Sequence, residues 1–159
     1  MITTIRLLRS VAALVAVSGS ASDPQGFALW RSGELVRREE ALSQNVGKDH
    51  SARETLGAYD GHRLRMLYRD RDGYPEQHDN EVDVVIVRSG EGTLLVGGRI
   101  IDLKAGDGTG EFIGTGIEGG EKYPLEAGDL VHIPPKTPHR FLVREGTHIT
   151  YVIVKLPAQ

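Results

Sequence analysis

The sequence contains no cysteine. Thiolate chemistry, disulfide bridges and zinc sites built from cysteine are therefore excluded. The absence does not fix the cellular compartment, because an exported protein can also lack disulfides. The chain also lacks a strong net charge. Its net charge of −3 gives no electrostatic reason to bind nucleic acid. No internal repeat or low-complexity linker interrupts the 159 residues, a length typical of one domain.

A long hydrophobic run is also missing, and the one apolar stretch of note lies at the N-terminus. The first nine residues carry two arginines, Ser10–Val17 is mostly apolar, and Ser18–Ser22 consists of small residues. This order is typical of a secretory signal peptide, and the apolar part is too short to span a bilayer well. We expect residues 1–22 to be a signal peptide and the protein to be exported, to the periplasm or the extracellular space. The alternative is a mis-assigned start or a buried N-terminal helix, and the protein is then cytoplasmic.

Glycine, by contrast, is abundant, with 20 residues or about twice the usual share. Many glycines in a short chain indicate tight turns and favour short strands over long helices. Alternating or β-branched patterns predict the strands, and turn residues separate them at Ser89–Gly92 and, as a hairpin, at Gly97-Gly98. Eight or nine short strands point to a closed or double-sheet all-β architecture. The predicted strands are His62–Arg69, Val82–Val87, Thr93–Val96, Arg99–Leu103, Phe112-Ile113, Leu130–Ile133, Phe141–Val143 and Thr147–Leu156.

One helix is predicted ahead of the strands. Ser32 can cap its N-terminus, and Gly47 is a suitable stop. Leu35, Leu42 and Val46 fall roughly on one face. We therefore expect an amphipathic helix at about residues 32–46, packed on the outside of a single domain that comprises residues 23–159.

Glu76, His78 and Asp83 form the first half of a candidate site. Glu76 and His78 are two residues apart, so their side chains point the same way in an extended segment. Asp83 follows at the head of an apolar strand, where a buried carboxylate is costly unless a cation or hydrogen bonds satisfy it. The alternative is that Asp83 lies at a strand end and faces water.

His139 is the second half. It follows a turn at 134–138 that three prolines make rigid. A rigid backbone suits a ligand or a catalytic group, because such a site must be preorganised. The alternative is a turn histidine with no role.

These two segments resemble the two motifs of the cupin superfamily. The first family motif, G-x5-H-x-H-x3–4-E-x6-G, is similar to the stretch from Gly73 to Gly92. The second, G-x5-P-x-G-x2-H, is similar to Gly128–His139. The resemblance runs from about Leu64 to Val154. It implies an all-β double-stranded β-helix, or jelly-roll barrel, in a small protein with a single cupin domain.

The resemblance implies that the metal ligands come from both motifs. Glu76 falls on the first histidine of the family pattern, His78 on the second, Asp83 on the glutamate and His139 on the second-motif histidine. Lys136 replaces the usual glycine. Two imidazoles and two carboxylates suit a divalent transition metal such as Mn, Fe, Ni or Zn, in a site harder and more anionic than three histidines and one glutamate.

His132 lies two residues before Pro134, inside a predicted strand. If it faces the barrel interior together with His139, it can serve as a catalytic acid/base near the metal. If it faces outward, it is a surface or dimer-contact residue.

Two main functions follow from these features. The first is a metal-dependent enzyme that acts on a small polar molecule. The resemblance implies a family whose activities include dioxygenases, isomerases, epimerases, decarboxylases and polyketide cyclases. The second is a metal-free module that binds a small ligand inside the barrel. A structural or storage role is a third possibility. The expected partners are a small-molecule ligand or substrate and, by resemblance, a second copy in a homodimer, with no nucleic acid and no membrane after signal cleavage.

Overall fold

The computed structural model describes residues 24–158, so the predicted signal peptide lies outside the described residues. Within this range, no helix is long and apolar enough to cross a membrane. The helix α1 spans Ser32–Ser43, and strands follow it. The strands are β1 (Ser51–Tyr59), β2 (His62–Arg69), β3 (Glu76–His78), β4 (Glu81–Val96), β5 (Arg99–Ile101), β6 (Lys104–Ala105), β7 (Glu111–Ile113), β8 (Gly116–Glu118), β9 (Glu121–Glu126), β10 (Leu130–Ile133), β11 (His139–Leu142) and β12 (Ile149–Pro157).

Ten strands form one curled sheet, in which every pairing is antiparallel, and β5 pairs with β8 in a small second sheet. The long strand β4 connects the two halves of the curl. Its first half pairs with β10 and β12, and its second half pairs with β9 and β11. Gly90 lies between these halves with a φ of 72°, and a Cβ there would stand 2.0 Å from the carbonyl oxygen of His148. Only glycine fits this position, which lets β4 pass from one half to the other.

The main core fills the inside of the curl, where Val85, Leu94, Ile149 and Tyr151 are almost fully buried. A second, smaller core lies on the outside of the sheet. There Leu42 of α1 packs against Met66 and Val152. The all-β barrel with one helix packed on its outside is thus confirmed. The helix ends at Ser43, earlier than predicted, with Gln44 as its C-cap.

Two predictions about strand pairing were wrong. The turn residues Ser89–Gly92 do not separate two strands, because β4 continues through them as one strand. The hairpin at Gly97-Gly98 does not form either, because β5 pairs with β8 while the second half of β4 pairs with β9. The strand bounds His62–Arg69 and Leu130–Ile133 agree with the structure.

Candidate metal centre

Three strands bring the candidate ligands together inside the curl. β3 carries Glu76 and His78 on one face, because the two alternate along an extended strand. β11 pairs with β3 so that His139 stands opposite Glu76. Asp83, near the start of β4, faces the same interior and is only 1% exposed. The structure therefore places the four residues suggested by the sequence in one cluster.

The proline-rich turn ties His139 to the strand that carries His78. The Lys136 N–H donates a hydrogen bond of 2.7 Å to the His78 carbonyl oxygen. The Gly97 N–H donates one of 2.8 Å to the Pro138 carbonyl oxygen. Lys136 has a φ of 60°, in the left-handed region that favours glycine, which is the residue of the family pattern at this position. The turn thus fixes the two histidines relative to each other.

The ligand atoms stand at distances that suit a shared ion. His78 Nε2 lies 3.3 Å from Asp83 Oδ2, and His139 Nε2 lies 3.7 Å from the same oxygen. Glu76 Oε1 lies 3.5 Å from His139 Nε2. Ligands about 2.1 Å from a common ion stand roughly 3–3.5 Å from one another. Glu76, His78 and His139 each offer an atom, and these atoms lie within 4.8 Å of one another.

In each imidazole, an oxygen beside the nitrogen that points away from the cluster influences which nitrogen carries the proton. The Thr137 carbonyl oxygen lies 3.0 Å from His139 Nδ1. A carbonyl can only accept, so Nδ1 carries the proton, and in the neutral ring Nε2 keeps its lone pair. Glu111 Oε2 lies 2.5 Å from His78 Nδ1, an ion-pair contact that favours the same arrangement in His78. Histidines that bind metals are held in this way by their surroundings.

Three buried atoms that face the centre of the cluster make no hydrogen bond within the described part of the chain. They are His78 Nε2, Asp83 Oδ2 and His139 Nε2. A buried polar atom left unpaired costs about 1–3 kcal/mol. Two imidazole lone pairs and a carboxylate oxygen repel one another unless a proton or a metal ion lies between them. The residues present therefore fit a divalent cation.

The charges around the cluster keep both carboxylates ionised. Burial by itself raises the pKa of Asp83, but the contact with His78 and the charge of Lys155 outweigh it and lower this pKa to about 2. Burial also opposes ionisation of Glu76, and the contacts with His139 and His78 lower its pKa to about 2. Burial lowers the pKa of His78, yet Asp83 leaves it raised above 6.5. Both carboxylates are thus charged at neutral pH, as metal binding requires.

Lys155 belongs to the cluster, although sequence reasoning did not find it. Its buried ammonium donates a hydrogen bond of 2.8 Å to Asp83 Oδ1 and lies 3.2 Å from Glu81 Oε2. Lys155 lies on β12 directly opposite Asp83. Tyr151 and Ile153 alternate toward the interior, and the same alternation places position 155 there. This pattern was the available signal for Lys155 in the sequence.

Glu81 and Glu111 surround His78 with further acid groups. His78, Glu81 and Glu111 offer a second set of possible ligand atoms within 4.8 Å of one another. Glu111 reaches His78 because β7 pairs with β3 and places these two residues opposite each other. The sequence does not reveal this, since Glu111 lies in a glycine-rich stretch with no marker for its pairing partner.

His132 is not part of the cluster. β10 pairs with β4 so that Ile133 stands opposite Asp83 and His132 opposite Val84. Neighbouring residues of a strand face opposite sides. Ile133 is buried and His132 is exposed, so His132 faces outward. Of its two alternative placements the structure shows the outer one, and this position corrects the suggestion that His132 acts as an acid/base beside the metal.

Solved structures of other proteins share this fold. A cupin 2 conserved barrel domain protein from Rhodopseudomonas palustris is 26% identical, and the match covers 69% of this chain and 62% of that protein, with a TM-score of 0.48. KdgF from Halomonas sp. is 18% identical over 69% of this chain and 81% of its own, with a TM-score of 0.50. Pac13 of Streptomyces, described as a unique nucleoside dehydratase, is 17% identical over 71% of this chain and 74% of its own, with a TM-score of 0.50. The likenesses to KdgF and Pac13 concern the fold alone, and this chain spans less than two thirds of the Rhodopseudomonas protein.

The family model of the cupin domain matches residues 108–154. This range includes the second motif and His139. No curated protein sequence gives a significant match to the chain. The family match over residues 108–154 and the barrel fold support a cupin superfamily protein.

Proposed function

We propose that this protein binds one divalent transition metal ion inside its barrel and uses it to act on a small polar molecule. The convergence of unpaired, buried atoms from His78, Asp83 and His139 carries the proposal. Glu76 is the fourth ligand. Imidazole and carboxylate ligands together suit Mn, Fe, Ni or Zn. When bound, such an ion polarises a carbonyl or phosphoryl oxygen or lowers the pKa of bound water.

The protein's own residues set the charge and geometry of this site. With neutral histidines, Glu76 and Asp83 contribute two negative charges and Lys155 one positive charge. The remaining negative charge favours a cation at the centre. The Thr137 carbonyl oxygen and the Glu111 carboxylate lie beside the outer nitrogens of the two imidazoles, so both inner nitrogens stay available.

Elemental analysis of the untagged protein tests the proposal. We expect one equivalent of metal per chain, or uptake of one equivalent when metal-free protein is titrated in a calorimeter. His139→Gln is expected to abolish uptake, because the amide lacks the oriented Nε2 lone pair. The matched control is His132→Gln, which lies on the outer face and should bind metal normally. Protein that contains no metal and takes up none of Mn, Fe, Ni or Zn would contradict the proposal.

A second candidate is a metal-free module that binds a small polar ligand. Lys155 favours it, because this buried ammonium already supplies a cation next to Asp83. Glu76, His78 and His139 then serve as polar anchors for the ligand. A ligand that raises the melting temperature equally with and without a chelator would support this candidate over the first.

We also propose a homodimer formed through the outer face of the curled sheet. One cross-strand row on this face contains Met66, Val152, Ile86 and Leu130. The helix covers the end near Met66, whereas Ile86 is 40% and Leu130 is 70% exposed. A second copy that presents the same face would cover these apolar side chains. Light scattering should give twice the chain mass for the wild type and a monomer for Leu130→Lys; a monomeric wild type would refute the dimer.

Export remains a proposal that concerns residues 1–22. N-terminal sequencing of the mature protein is expected to find a chain that begins near Asp23. An intact N-terminus on protein recovered from the cytoplasm would refute export.

A further inference from the structure

The interior face of β2 carries a row of arginines. Arg63, Arg65 and Arg69 alternate with outward-facing residues and share their face with Leu67, which belongs to the main core. Successive side chains of this row therefore line the inner wall of the barrel. Few soluble proteins place charged residues in such positions unless each has a partner.

Two of these arginines have partners within the protein. Arg63 donates a hydrogen bond of 2.9 Å to Glu81. The Nε of Arg69 donates one of 3.1 Å to the Tyr151 hydroxyl. For Arg65, by contrast, no carboxylate among residues 24–158 lies within ion-pairing distance of the guanidinium. Its planar group of donors is free to bind something else.

Charges of both signs surround Arg65, which is partly buried. Burial and the charges of Arg63 and Arg53 lower the pKa of Arg65, and this effect outweighs the opposite one of Glu81 and Glu111. Arg53 lies on β1 opposite Leu67, on the same face of the sheet. The buried Nε of Arg63 adds a further donor that has no hydrogen-bond partner in the described part of the chain. An anion placed here would be stabilised by several donors at once.

This arginine row lies beside the His/carboxylate cluster. β12 runs between them, with Lys155 opposite both Arg63 and Asp83. Two ion pairs bridge the gap, since Glu81 contacts Arg63 at 2.9 Å and Lys155 at 3.2 Å. Arg65 is two residues further along β2 from Arg63. A molecule held by Arg65 could therefore extend toward the candidate metal.

We propose that Arg65, flanked by Arg63 and Arg53, forms a subsite for the carboxylate or phosphate group of a small molecule. A guanidinium can bind either group through two parallel hydrogen bonds, which fixes orientation as well as position. As a substrate subsite, it rests on the proposed function. It also specifies the substrate class of that function, which is an anionic small molecule. The anion binding itself requires no metal.

Titration of the metal-free, full-length protein with inorganic phosphate and, separately, with succinate tests the subsite. We expect saturable binding of at least one of the two anions, and the one that binds identifies the group. Arg65→Gln should weaken it about tenfold or more, because a charge-assisted pair is lost. Arg65→Lys should give an intermediate loss, since it keeps the charge without the planar donors. Arg144→Gln is the matched control, as the Arg144 side chain is 77% exposed and pairs only with Glu91 among the described residues.

Two results would overturn the subsite: no saturable binding of either anion, or equal binding by the wild type, Arg65→Gln and Arg65→Lys. Arg65→Lys keeps the test valid if Arg65→Gln fails to fold. Metal uptake is measured on the same proteins and should be unchanged in Arg65→Gln. Anion binding without metal uptake in the wild type would overturn the proposed function but support the subsite. Metal uptake without anion binding would overturn the subsite alone.

Discussion

Lys155 donates a hydrogen bond to Asp83 Oδ1, while the other oxygen of the same carboxylate faces His78 and His139. Asp83 is therefore shared between a fixed internal cation and the centre of the candidate metal site. The ammonium helps to keep this buried carboxylate ionised, but it also competes with a metal ion for its charge.

Lys155→Met is expected to tighten metal binding about tenfold and to destabilise the metal-free protein by about 3–5 kcal/mol. Methionine fills a similar volume but leaves the buried Asp83 without its cation. Both oxygens of Asp83 would then be available to a metal ion, and its binding would restore much of the lost stability. Calorimetric metal titration and urea unfolding with and without metal measure the two effects.

The control for this substitution is Lys122→Met, at an exposed position of β9. It should leave metal affinity and stability within about 0.5 kcal/mol of the wild type. Weaker metal binding by Lys155→Met would show that the lysine supports the metal site instead of competing with the ion.

Glu111→Gln is expected to lower metal affinity about 10–100-fold. The Glu111 carboxylate contacts His78 Nδ1 and favours a lone pair on the inner Nε2. Glutamine keeps the size of the side chain but removes the charge that orients the imidazole. Metal titration of the variant measures the effect. Glu118→Gln, at an exposed glutamate in the same half of the sequence, should bind metal like the wild type, and equal affinities in all three proteins would argue against this role of Glu111.

The fold could be predicted where the pattern is local. His62–Arg69 alternates strictly, and Leu130–Ile133 is bounded by turn residues, so both strands have the predicted bounds. The four residues of the cluster could be found because the two cupin motifs place them at characteristic spacings. They lie close together because β3 pairs with β11, and the motif spacing alone does not show this pairing.

The remaining features depend on contacts between distant parts of the chain. Gly90 looks like a turn residue in the sequence, yet the close approach of the His148 carbonyl makes it a bend inside one long strand. Lys155 and Glu111 enter the site through strand pairings that a single sequence does not reveal. The outward orientation of His132 likewise follows from the register between β10 and β4, and a shift of one residue would reverse it.

The metal-free protein is expected to lose stability on the acid side as Glu76 and Asp83 become protonated. Their ordinary pKa values of 4.5 and 3.8 fall to about 2 in the folded protein. Groups with a lowered pKa contribute stability that is complete above the unfolded value and is lost as the pH falls through the folded value. The free energy of unfolding should therefore decline as the pH falls from 4.5 toward 2. Asp83→Asn should make this decline shallower, and Asp107→Asn, at an exposed loop position, should not.

Titration of His78 changes the free energy of unfolding in the opposite direction with pH. Its pKa is raised above 6.5 in the folded, metal-free protein, chiefly because the contact with Asp83 outweighs burial. The stability it contributes is complete below pH 6.5 and is lost as the pH rises through its folded pKa. Metal binding needs neutral His78 and should strengthen over the same rise in pH. Metal titrations at about pH 6 and pH 8 measure this, and an affinity that does not increase with pH would contradict the assignment of His78 as a ligand.

Gly90→Ala is expected to destabilise the protein by about 2–4 kcal/mol, because it combines backbone strain with a steric clash. The residue has a φ of 72°, and its new Cβ would stand 2.0 Å from the His148 carbonyl oxygen. Gly146→Ala is the matched control, since Gly146 has a φ of 80° but a Cβ added there would meet no atom within 4 Å. The control should cost only the backbone strain, about 1 kcal/mol. Urea unfolding of both variants separates the two effects, and equal losses would show that the approach of His148 does not require glycine at position 90.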